Sequence, residues 1–259
     1  MNRIIIGLLI IIGFLSRIDA QNPTGREVME NFKKNDETQT STASIKMSIY
    51  NSKGNKRERQ VVLWSKTTNN KRKQLIKFES PTDVAGTGFL SIENYNRADD
   101  NLLYLPALGK TRRISGSDKS DNFVGTEFTY KDLESEDLND YTYELKGSEI
   151  IDGIDCWLVT AIPNSTEAVN ESGYSKREMS VTKDHYVIIQ IKYFDKNQSI
   201  IKQFNGSAIK QISGTTKWRS FQLTMENFSK KNKTTLEYSD LKINLPIDDS
   251  FFTTRQLEK

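Results

Sequence analysis

One cysteine and one histidine are all that the 259 residues contain. A lone cysteine cannot staple a chain to itself, so the fold must rest on its core. Cys156 lies inside the apolar run "IDCWLV" and reads as a small buried hydrophobe. His185 sits in "TKDHY", between two strand-like runs, and reads as a surface turn residue. No G-x-S-x-G stretch occurs, which removes the nucleophile elbow of the α/β hydrolases. A serine–lysine or serine–histidine lipid hydrolase, drawing on the serines of "SGSDKS" beside Lys119, would have to assemble its parts in space. Charge of one sign is missing as well. Lys and Arg number 37 against 34 Asp and Glu, for a net +3, too even for nucleic-acid binding driven by the overall field.

Long hydrophobic runs are also absent. The longest, Ile4 to Leu15, is about a dozen residues, short of the ~20 that a helix needs to cross a bilayer. With Arg3 before it and "SRIDA" after it, the segment 1–20 reads as a secretory signal peptide. No cysteine near the cut offers a site for a lipid anchor. A soluble mature chain, one domain over residues 21–259, is the expectation.

What is present is strand signal. After a short helix announced by the capping box Thr24-Gly25-Arg26-Glu27, runs such as "SIKMSIY", "QVVLWSK", "KQLIKFES" and "YVIIQIKYF" follow at short spacing. Roughly a dozen such runs without intervening helices predict antiparallel pairing. In "FQLTMENF", Phe221, Leu223 and Met225 share one face, and in "YVIIQIKY", Val187, Ile189, Ile191 and Tyr193 share one. An oily sheet face must be covered. A mainly β fold is predicted, a single curved antiparallel sheet with helices held in its concavity. A two-sheet sandwich is the alternative.

The block from Asn101 to Leu133 concentrates chemistry. A turn on "PALG" pairs Leu105 with Lys110, Leu103 with Arg112 and Leu102 with Arg113. Neighbours in a strand face opposite ways, so Arg112 or Arg113 must share the oily face, where it needs an anion or lid carbonyls as partner. The bland alternative is an edge hairpin with solvated cations. In "SDKSDNFVGTEF", Asp118, Ser120 and Asn122 alternate like calcium ligands, but Phe123 stands where such a loop needs glycine. Neither a metal nor a cofactor is expected. A turn capped by Asp121 or Asn122 fits better, with the following residues crossing the sheet. Phe123, Phe128 and Tyr130 are then either lid aromatics or ordinary core.

"LYLPALGKTRRISGSDKSDNFVGTEFTYKDL", followed much later by "PIDDSFFTTRQLEK", resembles a bacterial family of outer-membrane lipoprotein-sorting proteins, relatives of the periplasmic carrier LolA. The resemblance covers most of the chain after residue 20. It implies a single strongly curved antiparallel sheet, an incomplete barrel with helices covering its concave hydrophobic face, together with residence in the periplasm and carriage of lipid or of lipoprotein acyl chains. It also implies an inner-membrane transporter and an outer-membrane acceptor as partners, and no enzymatic role. The alternatives are an accessory subunit of a lipid-exporting transporter and, behind it, a lipid hydrolase. The candidate cavity and rim residues are Leu103, Leu105, Arg112, Arg113, Phe123, Phe128, Tyr130, Val187, Ile189, Ile191, Phe221 and Leu223.

Overall fold

The computed structural model describes residues 22–95 and 97–259. The proposed signal peptide and its cleavage point near Gln21 lie outside them.

Thirteen strands form one sheet. In the first half these are β1 (Thr40–Tyr50), β2 (Lys56–Thr68), β3 (Lys71–Ser80), β4 (Gly88–Ile92), β5 (Asp100–Leu105) and β6 (Lys110–Arg113). The second half adds β7 (Tyr141–Ile151), β8 (Ile154–Pro163), β9 (Lys176–Thr182), β10 (Ile188–Phe194), β11 (Ile200–Gln211), β12 (Trp218–Asn227) and β13 (Asn232–Ile243). Their order is β6-β5-β4-β3-β2-β1-β13-β12-β11-β10-β9-β8-β7, every pair antiparallel. The chain therefore builds one half outward to β6, jumps to the far edge at β7, and builds back to meet β1 at β13. Since β6 and β7 do not pair, the sheet stays an open half-barrel.

Turn chemistry sets the register locally. Asn69 and Asn70 (φ 51° and 60°) join β2 to β3, and Asp152 and Gly153 (φ 49° and 82°) join β7 to β8. Both are two-residue loops with two left-handed residues, the hairpin turn whose twist matches that of the strands.

The jump from β6 to β7 positions the site. Residues 114–140 must pass from one sheet edge to the other, and the short path runs across the concave face. They do so through three single 3₁₀ turns, Gly116–Ser120, Phe123–Gly125 and Lys131–Leu133. Phe123, Phe128 and Tyr130 from this crossing segment are buried with Ile45, Met47, Val61, Phe78, Phe89 and Leu103 of the sheet.

Helix α1 (Gly25–Asp36) closes the rest of the concavity. Thr24 Oγ1 accepts the Glu27 N–H at 3.1 Å, and the Glu27 carboxylate accepts the Thr24 N–H at 2.7 Å, so both halves of the capping box form. Its apolar stripe, fully buried Val28 and Met29, packs on Val159, Ala161, Met179 and Val181 of β8 and β9. A Cβ on Gly25 would stand 2.8 Å from the backbone of Glu144 and Leu145, so only glycine allows this approach. A second helix, α2 (Thr166–Ser172), packs beside the crossing segment.

The third helix covers part of the opposite, convex face as well. Helix α3 (Thr254–Leu257) and the residues before it lie on the convex side, where Phe252 and Leu257 pack on Leu75 and Leu90. Adjacent residues explain why: Leu75 faces outward and Ile76 inward, Leu90 outward and Phe89 inward. Strands β3 and β4 are apolar on both faces, and each face needs a cover.

Candidate functional site

Between the concave face, α1 and the crossing segment lies a cavity of about 350 Å³. Its walls are Ile45 and Met47 of β1, Val61 and Leu63 of β2, Ile76 of β3, and Leu223, Met225 and Leu236 of β12 and β13. Phe123, Phe128 and Leu133 contribute the wall on the crossing-segment side. On the Phe123 side the cavity backs onto aromatic core, where Phe123 meets Phe78, Phe89 and Tyr130 in tilted or edge-on contacts with ring centroids 5.5–5.7 Å apart. Toward the other end the lining turns polar, with Ser41, Ser65, Thr67, Arg72, Gln74, Arg219 and Ser220 beside the last turn of α1.

Buried polar groups hold the crossing segment to the sheet. Arg59 of β2 donates to the Val124 carbonyl at 2.5 Å with its guanidinium over the Phe78 ring. Lys202 of β11 donates to the Glu127 carbonyl at 3.0 Å, and the Glu127 carboxylate accepts from Asn227 (2.8 Å) and Asn232 (3.0 Å). The Glu127 N–H donates to Thr234 Oγ1 at 3.0 Å. Burial pushes the Lys202 ammonium below its usual range, with Asp132 and Glu127 opposing the shift. Arg59 and Lys202 together form a latch, since each satisfies a carbonyl of backbone that no strand pairs.

Further along, Lys119 and Lys131 each bridge Glu134 and Glu171, at 3.0–3.3 Å, tying the segment to α2. Burial pulls the Lys131 ammonium down, but Glu134 and Glu171 outweigh it and hold it above the usual range. Arg177 of β9 pairs with Glu136 at 2.9 Å and lies over the Tyr141 ring. Asp132, which borders the cavity, accepts the Thr129 N–H at 2.7 Å, and burial raises its carboxyl above the ordinary value.

The structure separates the two arginines singled out in the hairpin. Arg112 pairs with inward-facing Leu103 and Arg113 with outward-facing Leu102. Arg113 bonds Asp100 at 2.7 Å and the Asp99 carbonyl at 2.9 Å, on the convex side. Arg112 is exposed at the edge, where its charge offsets part of the rise that burial gives the Tyr130 hydroxyl. Neither reaches the cavity, whose guanidinium groups are Arg72, Arg177 and Arg219. Leu103 is buried in the core and Leu105 half-buried against it, both off the cavity wall, as is Tyr130.

Strand irregularities redistribute the remaining candidates. Ile188 pairs with Val181 and Gln190 with Ser180, leaving Ile189 as the extra residue of a bulge. Ile188 and Ile191 consequently line the cavity, while Ile189 packs with Cys156, and Val187 packs there while still touching the cavity. In β12, Leu223 is on the wall but Phe221 is not. Opposite it, between the Ser207–Gln222 and Ile209–Ser220 pairs, Ala208 has φ 52°, and the inward face passes to Ser220 and Trp218. Phe221 lies instead under the Lys210 ammonium. His185 stacks on Trp218, rings parallel and 4.0 Å apart.

Sequence reasoning missed Arg59, Lys202 and Glu127, whose only signal was charge within strand-like or loop-like runs. No helix among the described residues is long and apolar enough to cross a membrane. No curated protein matches the chain. Residues 70–259 match the profile of a family described as "Uncharacterized protein". Among solved structures, a domain assigned to outer membrane lipoprotein-sorting proteins from Vibrio parahaemolyticus is 30% identical, with TM-score 0.83, covering 91% of this chain and 98% of that one. A DUF1329 family protein from Desulfovibrio piger is 29% identical with TM-score 0.84, covering 90% and 97%. A LolA superfamily protein from Nitrosomonas europaea, 16% identical with TM-score 0.71 over 91% and 100%, shares the fold. The chain belongs to the family of outer-membrane lipoprotein-sorting proteins with the LolA-like half-barrel.

Proposed function

We propose that this protein is a periplasmic carrier, formed by a single domain over residues 21–259, that holds a lipid or a lipoprotein acyl chain and moves it between envelope membranes. The observation that carries the reading is the cavity, walled by aliphatic side chains of the concave face and lidded by a segment that no strand pairs. Burying a chain there gains about 0.8 kcal/mol per methylene, which is affinity enough without covalent chemistry. At about 350 Å³ the cavity lies near the lower end of ligand pockets, roughly 300–1,000 Å³. A cargo with several chains therefore requires the crossing segment to move off the sheet. Phe123, Phe128, Ile191 and Leu223 are the wall residues we assign to the chain, with Ile45, Val61 and Leu236. An inner-membrane donor and an outer-membrane acceptor belong to the same reading, and we infer no catalytic role for His185, whose ring is occupied by Trp218.

The test is mass spectrometry of lipids extracted from protein purified from its native envelope, beside titration of the delipidated protein with an apolar fluorescent probe. We expect a bound acyl lipid, and saturable probe binding that Leu223→Trp abolishes while leaving the denaturation midpoint within the range of wild type. Lipid-free native protein that also fails to bind the probe would refute the carrier.

A further inference from the structure

Five of the seven buried side-chain atoms that lack a hydrogen-bond partner among the described residues belong to residues lining the cavity. They fall in two places. Tyr174 OH and Arg177 Nε and Nη2 lie on the β9 side, and Arg219 Nε and Ser220 Oγ lie at the polar end. Buried polar groups are normally satisfied, so two clusters facing one cavity point to what the cavity takes.

The two places differ in charge. Arg177 is already neutralised by Glu136 at 2.9 Å, and Asp132 is close enough for the two charges to act on each other. An anion arriving there meets two carboxyl groups. At the polar end the balance is reversed. Arg219 has Asp36 only at 3.9 Å, and that carboxylate is well exposed, so solvent and salt screen it. Among the described residues, no carboxylate pairs with the Arg72 guanidinium; Glu93 accepts the backbone N–H of Arg72 instead, at 3.0 Å. Glu37 is the remaining acid of this end. Burial raises the Tyr238 hydroxyl, and the charges of Arg219 and Arg72 partly bring it back. Arg219 also lies over the Tyr238 ring, 5.3 Å from its centre. Ser220, 5% exposed, lines the same end and carries a hydroxyl without a partner.

We propose that the cargo is an anionic amphiphile, and that Arg72, Arg219 and the Ser220 hydroxyl receive its acidic head, a carboxylate or a phosphate, while its chain runs toward Phe123. This rests on the carrier reading and specifies its ligand. Arg72 of β3 and Arg219 of β12 line the same cavity from either side of β2, β1 and β13. That geometry suits a head with several acceptor oxygens.

The experiment compares a fluorescent long-chain fatty acid, its methyl ester and inorganic phosphate on the delipidated full chain. The variants are Arg72→Met, Arg219→Met, the two combined, and the corresponding lysine changes. Loss of charge-assisted hydrogen bonds should weaken the acid roughly tenfold or more in the double Met variant. The ester should bind that variant as it binds wild type, which also shows that the cavity is intact. Lysine should restore part of the loss. Equal weakening of acid and ester, or no weakening of the acid, would overturn the head-group assignment and leave the carrier standing. Tight, arginine-dependent binding of phosphate with an unaffected acid would assign the pair to a free ion and overturn it too. If wild type binds neither acid nor ester, the carrier itself falls, and this inference with it.

Discussion

Replacing Phe123 by alanine tests whether the crossing segment is part of the folded core or a loose cover. Phe123 is 2% exposed and touches three aromatic rings, two of them anchored in β3 and β4. Those strands cannot close the gap, since sheet bonds fix Phe78 and Phe89, so the void stays and merges with the existing cavity. A Phe→Ala change at such a site costs about 3–5 kcal/mol. The loss has a ceiling, however. If the segment opens on its own before the sheet melts, global stability falls by no more than the free energy that docks the segment. Urea denaturation reads the global term. Hydrogen exchange reads the local one, through the Phe123 N–H on the Phe128 carbonyl (2.7 Å) and the Thr126 N–H on the Phe123 carbonyl (2.9 Å). We expect those amides to lose protection by at least as much as global stability falls, while the central β1–β2 ladder keeps its rank as the slowest region. Phe123→Leu should recover most of the loss. A global change under about 1 kcal/mol with unaltered exchange in residues 121–130 would show that Phe123 anchors nothing.

Two further outcomes follow from the geometry. Gly25→Ala puts a Cβ 2.8 Å from the β7 backbone, so α1 must shift, and a loss of about 1–3 kcal/mol in unfolding free energy, read as a lower denaturation midpoint, is expected; an unchanged midpoint would mean that α1 does not sit as tightly as described. Asp132 has a folded-state pKa raised by burial, so between its ordinary value, about 3.9, and that raised value the native state binds more protons than the unfolded chain. Its contribution to stability is therefore present at low pH and lost as pH rises through that window. Asp132→Asn, which keeps an acceptor for the Thr129 N–H, should lack this decline, so that the wild-type-minus-variant stability difference falls as pH rises through the window; a difference curve that stays flat, or rises with pH, would contradict the burial argument.

The sequence alone carried the architecture. Alternation in "SIKMSIY" and "KQLIKFES", turn pairs such as Asn69–Asn70 and Asp152–Gly153, and a lack of crossover helices require antiparallel hairpins. Thr24 and Glu27 specify the start of α1 by a bond pattern only four residues long. These are local signals, set by backbone sterics and by hydrogen bonds between near neighbours. The Leu103–Arg112 and Leu102–Arg113 pairs were also legible, because a tight turn fixes its own register.

The tertiary structure decided the site. Alternation places Ile189 and Phe221 on the inner face, but an extra residue in β10 turns Ile189 away, and Phe221 leaves the wall where its pairing with left-handed Ala208 is interrupted. Period-two reasoning cannot register such shifts, because the partner strand creates them. The arginines of the hairpin looked like the latch because their charges adjoin leucines in sequence. The latching role falls to Arg59 and Lys202, 65 and 75 residues from the carbonyls they hold, because residues 114–140 must cross the concavity to reach β7. Which cation meets which carbonyl is set by where the open edges of the sheet lie, and that is a property of the whole sheet rather than of any stretch of chain.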